Sequence, residues 1–146
     1  MADERMDVDE QIARLNEALR LQLRSAAQYT LTAGSLSGLE HQAVAERLGR
    51  FALEELDDAR RLVEKIASLG GEPNADAGPA RFLADPGEAL EWLIDSEAEA
   101  LQALQDAIEP TGREAASEAV EHRLEHIIMR KQEQVDTLQR ARRAPA

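Results

Sequence analysis

The chain has 146 residues, of which 43% are hydrophobic, 32% charged and 3% aromatic, so a single globular domain over residues 1–146 is predicted and a disordered chain is excluded. Its 29 acidic and 17 basic residues give a net charge of -12, which argues against nucleic acid as a partner because the phosphates would be repelled. Cysteine is absent, which excludes a disulfide framework and a thiolate metal site.

Four helices are predicted in chain order: α1 over residues 8–33, α2 over 38–69, α3 over 86–109 and α4 over 112–142. Each start is marked by a cap residue with Glu three positions later, and the pairs are Asp7 with Glu10, Ser37 with Glu40, Asp85 with Glu88, and Thr111 with Glu114. The predicted stops are Gly34, the Gly70 and Gly71 pair, and Pro110. No segment alternates like a strand, so the fold class is all-α.

The connections between these helices predict an up-and-down four-helix bundle with one long crossover. Residues 34–37 and 110–111 are too few to join anything but antiparallel neighbours. Residues 70–85 can extend to about 53 Å at ~3.3 Å per residue. A helix of about 24 residues is only ~36 Å long. The connection between α2 and α3 can therefore run the length of the bundle and make those two helices parallel.

Each predicted helix carries an apolar stripe that is interrupted by polar residues near its middle. Gln22 and Glu55 lie 33 residues apart across one short turn, and Glu97 and Lys131 lie 34 apart across the other. Residues equidistant from a turn meet at the same height in an antiparallel pair, so we expect one polar layer. Buried charge there must be paired, hydrogen-bonded or metal-bound. The expected layer consists of Gln22, Glu55, Asp58, Glu97, Lys131 and Gln134.

The sequence resembles the ferritin-like superfamily over nearly its whole length, and it is most similar to bacterioferritins. The similarity is clearest in Leu15 to Glu17, in Gln28 and Tyr29, and from Phe51 through Asp58, Ala59 and Arg60 to Pro73. This resemblance implies a ferritin-like bundle with the long α2–α3 crossover. It also implies a di-iron site built from one Glu on each of two helices and a Glu-x-x-His motif on each of the other two.

Matched position by position, the first three helices keep only part of that di-iron pattern. Gln22 stands where the family has the first-helix Glu. The second-helix motif keeps its carboxylate as Glu55 but has Asp58 in place of His. The third-helix Glu is retained as Glu97.

The fourth helix departs furthest, since Lys131 and Gln134 replace both expected ligands. The hypothesis we favour is an altered di-iron site that lacks standard ferroxidase activity, with Lys131 standing in for metal. An ammonium offers three donors and one positive charge, which makes Glu55 and Glu97 its natural partners. The haem-ligating Met of bacterioferritins falls at Leu56, so no haem is expected. The sequence assigns no catalytic residue.

Two alternatives remain open. Glu55, Asp58 and Glu97 could hold a single Fe or Mn ion together with waters, which would give an iron- or manganese-binding oxidase or an iron-storage protein. Alternatively, the protein could be a structural partner subunit or a stress-response scaffold. His122 and His126 have the i, i+4 spacing of a metal pair, but they lie off the apolar stripe of α4. A solvated or interfacial pair is expected there.

A homodimer or larger homo-oligomer through α1 and α2 is expected from a second apolar face on that hairpin. The alternative is that these residues simply widen the core stripe. The face is composed of Leu21, Leu23, Leu31, Leu36, Leu56 and Val63. The amino terminus lacks a signal-peptide pattern, and no run of about 18 apolar residues occurs. A cytoplasmic protein with no membrane partner is therefore predicted.

Overall fold

The structure is a computed structural model that describes residues 7–36, 38–108 and 115–143, with the backbone alone at 116 and 117. Within these ranges the chain forms four α-helices and no strand, which confirms the predicted all-α class. The helices are α1 Val8–Ser35, α2 Gln42–Ser68, α3 Pro86–Ile108 and α4 Ala115–Arg143. None of the described helices is long and apolar enough to cross a lipid bilayer.

The helix starts follow the predicted caps where the structure describes them. Asp7 Oδ1 accepts a hydrogen bond from the N–H of Asp9 at 3.1 Å, and Asp85 Oδ2 accepts one from the N–H of Glu88 at 2.9 Å. Each bond satisfies one of the first-turn donors that a helix leaves unpaired. The remaining predicted caps and one stop involve Ser37, Pro110, Thr111 and Glu114, which lie outside the described residues.

Among the described residues, two helix bounds differ from the predicted positions, by two and by four residues. Helix α1 continues past Gly34 to Ser35, and the N–H of Leu36 closes its last turn on the carbonyl of Thr32 at 3.2 Å. Helix α2 begins later than predicted, because Leu39–His41 forms a 3₁₀ turn, which no side chain of the described residues caps. Gly38, at φ 88°, turns the backbone into this segment, which is a conformation that glycine adopts without steric cost.

The end of α2 is fixed by the predicted glycine pair. Gly70 adopts φ 86°, and its N–H donates to the carbonyl of Ala67 at 3.0 Å. The N–H of Gly71 donates to the carbonyl of Ile66 at 2.9 Å. These two bonds form the Schellman arrangement, which satisfies the last carbonyls of the helix.

The crossover, residues 70–85, runs along α1 in the same direction as that helix. Asn16 Oδ1 accepts from the N–H of Asn74 at 2.7 Å, and further along the N–H of Gly78 donates to the carbonyl of Arg20 at 3.1 Å. The crossover therefore returns the chain to the end of the bundle where α2 began. Helices α2 and α3 are parallel as a result, and the predicted topology is confirmed.

Two apolar clusters pack at opposite ends of the bundle, and the polar residues lie between them. One cluster includes Leu15, Leu62, Leu104 and Leu124, and the other includes Tyr29, Leu48, Leu93 and Leu138. Burial of each such leucine contributes about 1.5–3 kcal/mol. The polar layer thus lies in the buried middle of the bundle, where charge must be balanced.

The prediction of an apolar outer face on the α1–α2 hairpin is partly wrong for α1. Leu21 and Leu36 are only 2% and 8% exposed, because they pack into the bundle and widen its core. On α2 the face remains open to solvent, since Leu56 is 53% and Val63 is 37% exposed. Leu53, at 68% exposure, extends it by one helical turn.

Candidate functional site

The ammonium of Lys131 lies at the centre of the polar layer, with its side chain 1% exposed. Its Nζ donates to Glu55 Oε2 and to Glu97 Oε2, each at 2.9 Å. Burial disfavours the charged amine, but the Glu55 and Glu97 carboxylates outweigh burial and raise the pKa of Lys131. Lys131 is therefore charged at neutral pH, and it joins α4 to α2 and α3.

Glu55 accepts its hydrogen bonds on one oxygen only. Gln22 Nε2 and Lys131 Nζ both donate to Oε2, while Oε1 is buried and has no partner among the described residues. Burial raises the pKa of Glu55 to about 8, with the Glu97 carboxylate adding to the rise and Lys131 opposing both. At neutral pH this carboxyl holds a proton, which removes the excess negative charge of two carboxylates around one ammonium.

Glu97 is the fully bonded carboxylate of the layer. The Ser25 hydroxyl donates to its Oε1, and the Tyr29 hydroxyl donates to its Oε2 at 3.0 Å. Burial, together with the Glu97 charge, raises the pKa of Tyr29, so the phenol stays protonated and remains a donor. With Lys131 also on Oε2, Glu97 has three donors and is the natural holder of the negative charge.

Asp58 and Gln134 lie on the α2–α4 side of the layer, and their partners, Arg130 and Glu54, lie outside the layer. Asp58, 3% exposed, has its Oδ1 at 3.7 Å from Arg130 Nη1. Burial raises the pKa of Asp58 to about 6, against the opposing charges of Arg130 and Lys131. Gln134 Nε2 donates to Glu54 Oε1 at 3.1 Å. Of the six expected residues, hydrogen bonds thus connect Gln22, Glu55, Glu97 and Lys131 into one network.

Three participants were not expected in the layer. Ser25 and Tyr29 follow Gln22 at steps of three and four residues on α1, so helical spacing alone would have placed them beside it. Glu54 lies about 100° off the stripe of α2 and gives no such signal. The long Gln134 side chain reaches Glu54 across the interface between α4 and α2.

A family model for the ferritin-like domain matches residues 12–143. The chain belongs to the ferritin-like family. No curated protein sequence matches it significantly. The ferritin-like assignment agrees with the four-helix topology and the long crossover described above.

Two solved structures illustrate what this ferritin-like chain is similar to. A bacterioferritin from Rhodobacter capsulatus, determined with a metal-free dinuclear site and haem iron, is 25% identical, with a TM-score of 0.81 over 94% of this chain and 86% of that one. A ferritin-like di-iron-carboxylate protein from Bacillus anthracis is 26% identical, with a TM-score of 0.85 over 94% of this chain and 99% of that one.

The donor set of this ferritin-like layer does not fit a two-metal centre. The ammonium of Lys131 lies between Glu55 and Glu97, so a cation already occupies the space between the two retained carboxylates. The Asp58 carboxylate lies beside Arg130. Among the residues that the structure describes, no three His, Cys, Asp or Glu side chains are grouped to hold a metal ion.

Proposed function

We propose that this protein is a ferritin-like protein with an altered di-iron site, in which Lys131 takes the place of metal and standard ferroxidase activity is absent. The observation that carries the proposal is the position of Lys131 Nζ, 2.9 Å from both Glu55 Oε2 and Glu97 Oε2. A single ammonium supplies the positive charge and the directed bonds that these carboxylates require.

The electrostatics of the layer oppose a metal ion beside Lys131. A divalent cation bound by Glu55 and Glu97 would face the ammonium across a few ångströms in a medium of low dielectric constant. Lys131 would then have to leave its two partners, and breaking a buried ion pair costs about 3–5 kcal/mol. A single Fe or Mn ion on Glu55, Asp58 and Glu97 is the competing candidate, and it also requires Asp58 to leave Arg130.

We also propose that the protein binds no haem. Bacterioferritins, which the sequence resembles, ligate haem through a Met at the position of Leu56. The Leu56 side chain is hydrocarbon and offers no ligand atom to iron.

Metal loading tests the proposal. The purified protein is incubated with Fe(II) or Mn(II), desalted and examined by elemental analysis, and oxygen uptake is followed after Fe(II) is added. We expect metal well below one ion per chain and oxygen uptake no faster than in buffer. Stoichiometric metal that disappears in Glu55→Gln would overturn the proposal and support the single-ion candidate.

A gain-of-ligand variant tests whether the layer is an altered di-iron site. Lys131→Glu combined with Gln134→His removes the cation and supplies a carboxylate and an imidazole at the matching positions. We expect this double variant to gain iron. A matched control, Lys65→Glu combined with Gln132→His, adds the same groups outside the layer and should gain none. Equal iron in both variants would contradict the assignment.

We propose in addition that the chain forms a homodimer or larger homo-oligomer through the outer surface of the α1–α2 hairpin. Support comes from Leu53, Leu56 and Val63, which expose apolar side chains along α2 at helical spacing. Such an assembly would also suit a structural partner subunit or scaffold. The cytoplasmic location and the lack of a nucleic-acid partner stay predictions from the sequence.

A further inference from the structure

A polar cleft of about 370 Å³ opens between α2 and α4, next to the polar layer. Its α4 wall carries Arg123, His126 and Arg130, which follow one another at steps of three and four residues and so share one helix face. Its α2 wall carries Arg61 and, toward the layer, Asp58. Glu133 completes the polar rim.

The charge of this cleft is opposite in sign to that of the chain. The whole sequence carries a net charge of -12, yet three guanidinium groups line the cleft against two carboxylates. One of those carboxylates, Asp58, is 3% exposed and lies beside Arg130 at 3.7 Å. The other, Glu133, is on the solvent-exposed rim. The open volume of the cleft is therefore bordered mainly by cations.

The arginines also retain unused hydrogen-bond donors. Arg123 forms no hydrogen bond or ion pair with any residue that the structure describes. Arg61 contacts Asp57 through Nε at 3.1 Å, which leaves its two terminal nitrogens available. The Arg130 contact with Asp58, at 3.7 Å, is longer than a hydrogen bond. Several charged donors on two helices thus point to a ligand with several acceptor oxygens.

We propose that this cleft binds a small oxyanion of the phosphate class, either free phosphate or a phosphomonoester. Guanidinium groups pair with phosphate oxygens through two parallel hydrogen bonds. A volume of about 370 Å³ lies within the usual range for small-molecule sites and holds a phosphoryl group with a short substituent. A nucleic-acid polymer is disfavoured, because the net charge of -12 on the chain repels its phosphate backbone.

Calorimetric titration of the full chain with inorganic phosphate and with glycerol 3-phosphate, at constant ionic strength set with NaCl, tests the site. We expect saturable one-to-one binding with a Kd below about 1 mM. Arg123→Gln and Arg61→Gln should each weaken binding by about tenfold or more, since each removes charge-assisted hydrogen bonds. Tighter binding of the ester identifies a phosphorylated small molecule as the ligand, and equal affinities identify free phosphate.

Matched controls separate the site from general charge effects. Arg60→Gln removes an exposed arginine next in sequence to Arg61, which pairs with Asp57 and Glu64 outside the cleft. Arg142→Gln removes an exposed arginine from the far end of α4. Both controls should bind phosphate like the wild type. The proposal is overturned if the wild type shows no saturation below about 10 mM phosphate, or if the controls lose as much affinity as the cleft variants.

Folding of the variants is checked independently by helical circular dichroism and melting temperature. If Arg123→Gln is unfolded, Arg61→Gln decides the test, because Arg61 lies on a different helix and its ion pair with Asp57 is only part-buried. Phosphate binding by Arg61→Lys provides a further test. This substitution keeps the charge but loses the planar fork, so affinity between those of the wild type and Arg61→Gln is expected. Wild-type affinity in a folded Arg61→Gln overturns the proposal.

Discussion

Lys131 and Glu97 form an ion pair of 2.9 Å between α4 and α3, and neither side chain exposes more than 1% of its surface. Loss of hydration on burial offsets much of the attraction between such charges, so an intact buried pair adds little net stability. Loss of one partner is different, because the remaining charge stays buried and unpaired. The layer therefore makes the fold depend on charge balance.

Substitution Lys131→Met tests that dependence. Methionine is similarly long and unbranched, but it leaves the Glu97 carboxylate without its cation and the protonated Glu55 carboxyl without the ammonium donor. We expect the free energy of unfolding at pH 7 to fall by about 3–5 kcal/mol, measured by urea denaturation. Lys65, the other lysine of the chain, provides the control at the end of α2, where Lys65→Met should change stability by less than about 0.5 kcal/mol. Equal effects of both substitutions would refute the expectation.

Stability should fall as pH rises through the neutral range. Burial raises the pKa of Glu55 from an ordinary value of 4.5 to about 8, so between these pH values the folded state binds a proton that the unfolded state has released. The stabilisation from Glu55 is complete below about pH 4.5 and is lost as pH rises through about 8. Because Glu55 contributes one proton, its share of the slope cannot exceed about 1.4 kcal/mol per pH unit.

The measurement is a series of urea unfolding curves across this pH window for the wild type and for Glu55→Gln. The amide resembles the protonated carboxyl in shape and cannot ionise, so the variant should lose most of the slope. Asp58 has a pKa raised to about 6, so it also lowers the free energy of unfolding as pH rises. This contribution is the same in the wild type and in Glu55→Gln. A wild-type curve as flat as that of the variant would show that Glu55 titrates normally.

Tyr29→Phe should weaken the layer through Glu97. The substitution removes the hydroxyl that donates to Glu97 Oε2 at 3.0 Å but keeps the ring, which packs edge-on against Phe51 at 5.6 Å between centroids. We expect a loss of about 1.5–3 kcal/mol, the usual value for a hydrogen bond to a charged group. In a Glu97→Gln background the same change should cost only ~0.5–1.5 kcal/mol. Identical losses in both backgrounds would contradict a charged Glu97.

The fold could be predicted from the sequence because the interactions that begin and end its helices join residues close together in the chain. Asp7 and Asp85 accept first-turn hydrogen bonds two and three residues away, and Gly70 and Gly71 close the end of α2 within one turn. The length of the crossover then indicated the bundle topology, in which α2 and α3 are parallel. The 3₁₀ turn before α2 was missed, because it follows from the backbone angle of Gly38 and not from a hydrophobic period.

The site was readable only in part. Equal distance from a turn sets the height of a residue, and Lys131 and Glu97 are in contact at such a matched height. The position of a residue along the bundle axis does not determine which neighbour its side chain contacts. Gln134 donates a hydrogen bond to Glu54, a residue off the apolar stripe. Its hydrogen-bond partner depends on side-chain rotamers and on the packing of α4 against α2. Spacing along the sequence contains no such information.

Gln28→Leu should release the crossover from the bundle. Gln28, 1% exposed, exchanges two hydrogen bonds of 2.8 Å with the backbone of Arg81 and accepts one of 3.0 Å from Trp92 Nε1. Leucine fills the volume but leaves these groups unpaired, so we expect a loss of about 2 kcal/mol or more. Emission from Trp92, the only tryptophan, should move to longer wavelength as water reaches the ring.

Asn16→Leu is the matched control for the crossover. Asn16 holds the opposite end of the same segment through Glu72 and Asn74, far from the indole. This variant should lose stability without any change in Trp92 emission. An emission shift in both variants would mean that the crossover loosens as a unit, and no shift in either would mean that Gln28 does not anchor it.

Introducing charge on α2 tests the proposed homo-oligomer. Leu53 and Leu56 are 68% and 53% exposed, and burial of a leucine contributes about 1.5–3 kcal/mol, so four leucines at a two-fold interface can support a dimer. Leu53→Glu with Leu56→Glu should raise the dissociation constant by at least about 100-fold and give a monomer by light scattering. Met129→Glu places a charge at an equally exposed site, 63%, on α4 and should leave the wild-type mass unchanged. A wild type that is monomeric at all concentrations, or a double variant of wild-type mass, would exclude this interface.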